Sequence, residues 1–411
     1  MQAIHTRRKP ACAVIIIFLL LLAGAANPAA ADNPQLTEPL FLQRFESFKS
    51  SGYDPLTVPV EWFHPTEQVT GAGPVPTAAA AANLGEQAVS ASALKAAAAY
   101  AAEQNSTALL VYRQGRLQYE HYWQGQGRES FFNPQSMSKT VLGMMVGVAI
   151  RDGYVRSVSD PVSEYLPEWA SDPRGRITIE QLLQMSGGLA QISSSYEVSL
   201  DNPAVYQHFG TDFVGPILAL PQIDLPGSKW EYNNNETNLL GLILERASGR
   251  RYADYLSDSI WKPAGLADAR LYLDRPGGEP MFSCCILSRP MDWLQLGVLF
   301  LQDGNYRDQQ IVPADWIRQM QVPAETSTAY GYQVWLGNEY LTLESTGASP
   351  AGEHFASEPF ADPATVIFSG FGYQRVWVMP EKKLVIVRAG KAWPPNWDNA
   401  VIPNTIYRGS S

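Results

Sequence analysis

Hydrophobic and polar positions along the chain change period twice. Thr107 to Tyr112 and Arg116 to Trp123 are strand-like runs joined at Gln114-Gly115, a hairpin signal. From Lys139 to about Gln321 apolar positions recur at helical spacing, in Ile179 to Met185, Glu236 to Ala247, Tyr252 to Ile260 and Met291 to Leu301. The pattern then returns to β character in Tyr330 to Leu336, Thr365 to Phe368, Gln374 to Met379 and Leu384 to Arg388. Strands at both ends around a helical middle predict an α/β (α+β) architecture. One antiparallel sheet is built from both chain ends and flanked by helices, with a helical domain inserted at about 140–325. Ahead of the hairpin, Ala78 to Gln104 is alanine-rich and reads as mostly helical, with a break near Asn83-Leu84-Gly85. Asp32 to Thr77 is rich in proline and aromatics and lacks a clear period. The expected division is therefore a leader over 1–31, an extension over 32–95 and a main body over 96–411.

The leader has its own composition. Arg7, Arg8 and Lys9 precede the apolar run Ala11 to Ala26, and Ala29-Ala30-Ala31 offers an Ala-x-Ala cleavage site before Asp32. The run is shorter than the ~20 residues needed to span a bilayer. It reads as a secretory signal peptide, which predicts a periplasmic or secreted protein starting at Asp32, with no stable membrane insertion after cleavage. The formal charge of −10 becomes more negative once this purely basic segment is gone, a surface that repels nucleic acid and anionic membranes. Cys12 leaves with the leader. Cys284 and Cys285 remain and are expected as two buried thiols, with a vicinal disulfide as the alternative.

The candidate chemistry lies in Ser136-Met137-Ser138-Lys139, directly after the turn-forming Asn133-Pro134. Residues i and i+3 share a helix face, so the Ser136 hydroxyl and Lys139 amine lie within reach of each other. Ser92-Ala93-Leu94-Lys95 and Ser259-Ile260-Trp261-Lys262 have the same spacing. The first sits in an ordinary alanine-rich helix and the second runs into Pro263-Ala264-Gly265, whereas Ser136 opens a long apolar helix after a hairpin. A lysine base needs a neutral amine, and a nearby tyrosine and asparagine can relay its proton and hold it in place. Tyr232-Asn233-Asn234, the sole Tyr-x-Asn, follows Pro226-Gly227 and precedes a helix.

These motifs, together with Thr178 to Leu189, Leu240-Gly241, Trp261 to Gly265, Asp292-Trp293 and Ser369-Gly370, resemble the serine β-lactamase and DD-peptidase superfamily. The likeness runs from about Ala101 to Arg388, and is to the esterase-like branch with class C enzymes and 6-aminohexanoate-oligomer hydrolases. It implies a β-lactamase/transpeptidase-like fold and an acyl-enzyme on Ser136. Lys139 and Tyr232 would share general-base and general-acid duty, and Asn234 would orient them. The oxyanion would rest on the N–H of Ser136 and of Phe371, beside Ser369 and Gly370. No cofactor or metal is called for, and the implied partner is a small-molecule ester or amide. The oligomeric state is left open.

The chain departs from the family at the third motif. Where Lys-Thr-Gly or His-x-Gly is usual, it has Phe368-Ser369-Gly370, and period-two alternation turns Arg375 away from position 368. The usual docking cation for a substrate carboxylate is therefore missing, which predicts a preference for neutral esters or amides. Apolar contact with Phe368 or Phe371 is expected on the acyl side. A DD-peptidase or β-lactamase, and a non-catalytic binding protein on the same scaffold, are the alternatives. An α/β-hydrolase is disfavoured because no Gly-x-Ser-x-Gly elbow is present and the one late histidine, His354, reads as a solvated loop residue. Five scattered histidines without His-Glu-x-x-His spacing argue against a zinc site. Tyr330, Tyr332, Trp335 and Tyr340 are expected mainly to pack the sheet, with an apolar acyl site as the alternative.

Overall fold

In the computed structural model, which describes residues 38–51, 58–74, 89–192, 203–337 and 355–411, the first hairpin pairs with the last strands of the chain. The elements in order are α1 Pro39–Ser50, β1 Thr66–Val69, α2 Ala91–Glu103, β2 Ser106–Arg113, β3 Arg116–Tyr122 and α3 Ser138–Arg151. There follow α4 Ile179–Leu183, α5 Pro203–Phe209, α6 Val214–Leu218, α7 Asn234–Ser248, α8 Tyr252–Leu256, β4 Ala269–Tyr272, β5 Ile286–Leu287 and α9 Pro290–Leu301. The chain closes with β6 Asn305–Tyr306, β7 Gln309–Gln310, α10 Ala314–Met320, β8 Trp335–Leu336, β9 Val366–Gly370, β10 Gln374–Met379, β11 Leu384–Gly390 and α11 Val401–Arg408.

The main sheet is antiparallel and six-stranded, in the order β3-β2-β11-β10-β9-β8. Both its faces are covered, which is why β2, β10 and β11 are buried at every position rather than alternating with polar residues. Leu110, Val376, Phe368, Val385 and Val387 point into the larger core, shared with α3, α7 and α9. Leu109, Val111, Ile367, Trp377 and Ile386 point the other way, against Ala97 and Ala101 of α2 and Ile402 and Ile406 of α11. The molecule is thus a three-layer stack of terminal helices, sheet and helical middle, the mixed fold expected from the two changes of period.

The elements differ from the expected ones at three places. Of Tyr330 to Leu336 only Trp335–Leu336 is strand, because Gln333 turns to φ 60° and sends its buried amide to the Leu182 and Leu183 carbonyls. The expected helix Tyr252 to Ile260 passes into a π-helical turn, Ser257–Trp261. In the proline-rich stretch lacking an apparent period, Phe41, Arg44, Phe45 and Phe48 form one buried stripe on α1 at helical spacing. Arg44 pins that helix by donating to the carbonyls of His64, Phe209, Gly210, Leu273 and Asp274. β1 adds to β4 and β5 in a small three-stranded sheet. Residues 75–88, which include the expected helix break, lie outside the described residues.

Candidate active site

The turn that carries Ser136 is set by its neighbours. The Asn133 side chain accepts the Gln135 N–H at 2.8 Å, and the Pro134 carbonyl accepts the Met137 N–H at 3.3 Å. Gln135 is held at φ 54°, in the left-handed region that a non-glycine residue enters at a cost of about 1–3 kcal/mol. Gln135–Met137 forms a single 3₁₀ turn, and α3 starts at Ser138. Ser136 therefore sits one turn ahead of the regular helix, and Lys139 lies on the face below it.

Lys139 is buried, and its Nζ lies 2.9 Å from Ser136 Oγ, 2.7 Å from Asn234 Oδ1 and 2.9 Å from the Ser283 carbonyl oxygen. Burial pushes its pKa well below the usual lysine value, because the ammonium loses its water shell. A neutral amine has two N–H donors and one lone pair. With Asn234 and Ser283 accepting the two donors, the lone pair is left for the Ser136 hydroxyl.

Asn234 is the first residue of α7, and Asn233 caps that helix by accepting the Asn235 N–H. The Asn233 amide also donates to the Leu189 carbonyl, and Gln191 donates to the Tyr232 carbonyl, so Tyr232 to Asn234 is fastened to the Met185 to Gln191 loop. The centroid of the Tyr232 ring is 5.0 Å from Lys139 Nζ. The ring stacks on Trp335 at 5.4 Å and lies T-shaped to Tyr330 at 6.2 Å. Trp335 and Tyr330 are thus packing residues that fix Tyr232, and Tyr332 is buried in the larger core. Tyr340 and His354 lie outside the described residues.

The third-motif strand reaches the site through Gly370. A Cβ at this position would overlap the Pro134 carbonyl, so only glycine lets the end of β9 lie flush against the turn before Ser136. Ser369 is nearly buried opposite Arg375 in the β9–β10 register, and no hydrogen bond joins it to Ser136 or Lys139 among the described residues. Phe371 is half-buried, with its ring edge-on to Trp393 at 4.8 Å. The acyl-side contact expected of Phe368 is corrected. Phe368 is fully buried in the larger core against Phe300, at 5.4 Å, because alternation along β9 turns it toward the helical layer. Arg375, buried on the opposite face, supplies no charge to position 368.

Two participants escape the sequence reading, the Ser283 carbonyl and Glu236, and at Cys284-Cys285 its alternative holds. The Ser283 carbonyl is a backbone group and leaves no side-chain signature. The adjacent Cys284 and Cys285 were expected as free thiols, but they form a vicinal disulfide, with Cys285 at φ 73° and its sulfur 3.8 Å from the Asn133 amide. Glu236, two residues after Asn234, is buried with its carboxyl on the Gly187 N–H at 3.1 Å. Burial raises its pKa to about 8, outweighing the backbone N–H groups of Gly187, Leu189 and Gly188 that favour its charge. The decoy serines are elsewhere: Ser92 is exposed on α2, and Ser259 is in the π-helical turn.

A Ser-Lys pair on a buried helix start, a Tyr-x-Asn loop and the end of an antiparallel strand thus come together on this three-layer fold. Residues 94–406 match the beta-lactamase family, and the chain belongs to it. Over 307 residues it is 26% identical to a 6-aminohexanoate-dimer hydrolase of Paenarthrobacter ureafaciens, covering 70% of this chain and 72% of the relative. A solved structure from Bacillus anthracis, provisionally named a 6-aminohexanoate-dimer hydrolase, superposes with TM-score 0.66 at 19% identity, over 85% of this chain and 90% of that one. EstCE1, described as a hydrolase with promiscuous acyltransferase activity, does so with TM-score 0.58 at 17% identity, over 80% of this chain and all (100%) of that one. At these identities the two structures establish the β-lactamase/transpeptidase fold.

Proposed function

We propose that the protein is a serine hydrolase that cleaves neutral carboxylic esters or small amides through an acyl-enzyme on Ser136. The observation that carries this reading is the buried Lys139 amine 2.9 Å from Ser136 Oγ, with its other two partners both hydrogen-bond acceptors. Ser136 Oγ attacks the substrate carbonyl carbon, and its proton passes to the Lys139 lone pair. The oxyanion rests on the N–H groups of Ser136 and Phe371. As the tetrahedral centre collapses, the bond to the alcohol or amine breaks, and Tyr232 relays the proton from Lys139 to the leaving group. Water then adds to the acyl-enzyme by the same route in reverse, and the acid leaves.

Substrate class follows from position 368. A charge-assisted hydrogen bond from a cation there would contribute about 1.5–3 kcal/mol toward a substrate carboxylate. Phe368, turned into the core, stands in place of that cation and neither Ser369 nor Gly370 carries a charge, so the reading favours neutral acyl substrates over penicillins and D-Ala-D-Ala peptides. The relative named a 6-aminohexanoate-dimer hydrolase supports the amide side of this reading. Secretion through cleavage before Asp32 is part of the same proposal. The test is a panel of short-chain p-nitrophenyl esters, short amide oligomers, penicillin and nitrocefin with wild type and Ser136→Ala. Ester or amide turnover that disappears in Ser136→Ala, with little β-lactam turnover, is expected. Efficient penicillin hydrolysis would favour the β-lactamase alternative, and full ester turnover by Ser136→Ala would refute the site.

A further inference from the structure

Two fully buried arginines lie beneath the tight turn that joins β9 to β10. Arg375 donates from Nη1 to the Gly370 carbonyl at 2.8 Å and the Gln374 carbonyl at 3.0 Å, and from Nε to Asn399 Oδ1 at 3.1 Å. Arg388, its cross-strand neighbour, donates from Nη1 to the Gly372 carbonyl at 2.9 Å and the Tyr373 carbonyl at 3.0 Å. Four carbonyls of residues 370–374 thus converge on two guanidinium groups. Strand pairing alone does not account for this, since a hairpin turn needs no cation to hold it. Burying two like charges side by side is unfavourable, so the arrangement fixes one geometry of this turn at the expense of stability.

A trans peptide points its N–H opposite to its C=O. With the Gly370 carbonyl held down by Arg375, the N–H of the Gly370–Phe371 peptide points the opposite way, and Gly370 itself lies against the Pro134 carbonyl at the Ser136 turn. We propose that Arg375 is a positioning residue for the oxyanion: it locks the Gly370–Phe371 peptide so that the Phe371 N–H faces the acyl oxygen of a substrate on Ser136. This rests on the acyl-enzyme reading above and deepens it. Arg375 never touches substrate; it acts through one peptide plane. A flipped peptide would present a carbonyl to the oxyanion and repel it.

The test compares wild type, Arg375→Met and Arg375→Lys as full-length protein. Ser136 is first counted with a fluorophosphonate, then kcat and KM are measured on p-nitrophenyl butyrate and inhibition on phenylboronic acid. The boronate becomes tetrahedral on Ser136 and so senses the oxyanion site, while KM senses ground-state binding. Removing one oxyanion donor lowers kcat by about 10²–10³. Arg375→Met is expected to approach the lower figure and to weaken the boronate in parallel, with KM changed less than about threefold. Arg375→Lys is expected to recover part of both. A folded Arg375→Met with unchanged kcat and boronate affinity overturns the proposal. Should that variant not fold, a crystal structure of the wild-type boronate adduct decides. A boronate oxygen on the Phe371 N–H with Gly370 on Arg375 supports the proposal, and an oxygen held elsewhere overturns it. Absence of fluorophosphonate labelling in the wild type would instead remove the hydrolase reading and this inference with it.

Discussion

The basicity proposed for Lys139 comes from where it is, not from a neighbouring charge. Its pKa falls through desolvation, and its hydrogen-bond acceptors are an amide and a backbone carbonyl rather than a carboxylate. The sign of the pH dependence follows. The free amine is the competent form, so kcat/KM on a neutral ester should rise with pH through the folded-state pKa and then level off. That limb should lie well below the ordinary lysine range. An activity that climbs only near the pKa of free lysine would mean that the amine is hydrated and protonated, contrary to its burial. The Ser136–Lys139 pair was legible in the sequence because three-residue spacing on a helix is a local property. Phe368 misled because its side chain was read as lining the cleft, whereas the pleat of β9 turns it toward Phe300.

Among the elements, α7 contributes most to the site. Within a single turn its cap Asn233 and its buried Glu236 hold the Met185 to Gln191 loop, and its first residue Asn234 holds Lys139 of α3. Glu236 carries a folded-state pKa raised to about 8 from 4.5. The folded protein therefore holds a proton that the unfolded chain has already released between these values, and stability falls as pH rises through that window. The contribution is fully present below 4.5 and is lost as pH passes about 8. Glu236→Gln keeps an acceptor for the Gly187 N–H and cannot ionise. Its melting temperature should decline less between pH 5 and pH 8 than that of the wild type. An identical decline in both would show that Glu236 is already ionised or well solvated. At this scale the sequence was readable where periodicity is strong, as in α7, α9, β10 and β11. It failed where a backbone turn decides the outcome, as at Gln333, and where proline-rich composition hid the regular stripe of Phe41, Phe45 and Phe48.

Across the whole molecule, the site exists because the two ends of the chain share one sheet. β2 pairs with β11, and the turn between β9 and β10 is carried to the turn before α3, so Gly370 meets Pro134, two residues before Ser136, although 236 positions separate them in the sequence. The order of motifs announced this topology, since each has a fixed place relative to the sheet. What no local pattern disclosed was the scaffolding by backbone groups: the Ser283 carbonyl under Lys139 and the arginine-held turn under Phe371. In both, a side chain is held to carbonyl oxygens, which every residue possesses and which leave no mark in the sequence. The central claim is that this assembly places an acyl group on Ser136. Its most direct test is mass spectrometry of wild-type protein quenched during turnover of a p-nitrophenyl ester, followed by peptide mapping. A mass increase equal to one acyl group on the peptide containing Ser136, absent in Ser136→Ala, is the expected result. Acylation confined to another residue, or ester turnover with Ser136 never modified, would contradict it.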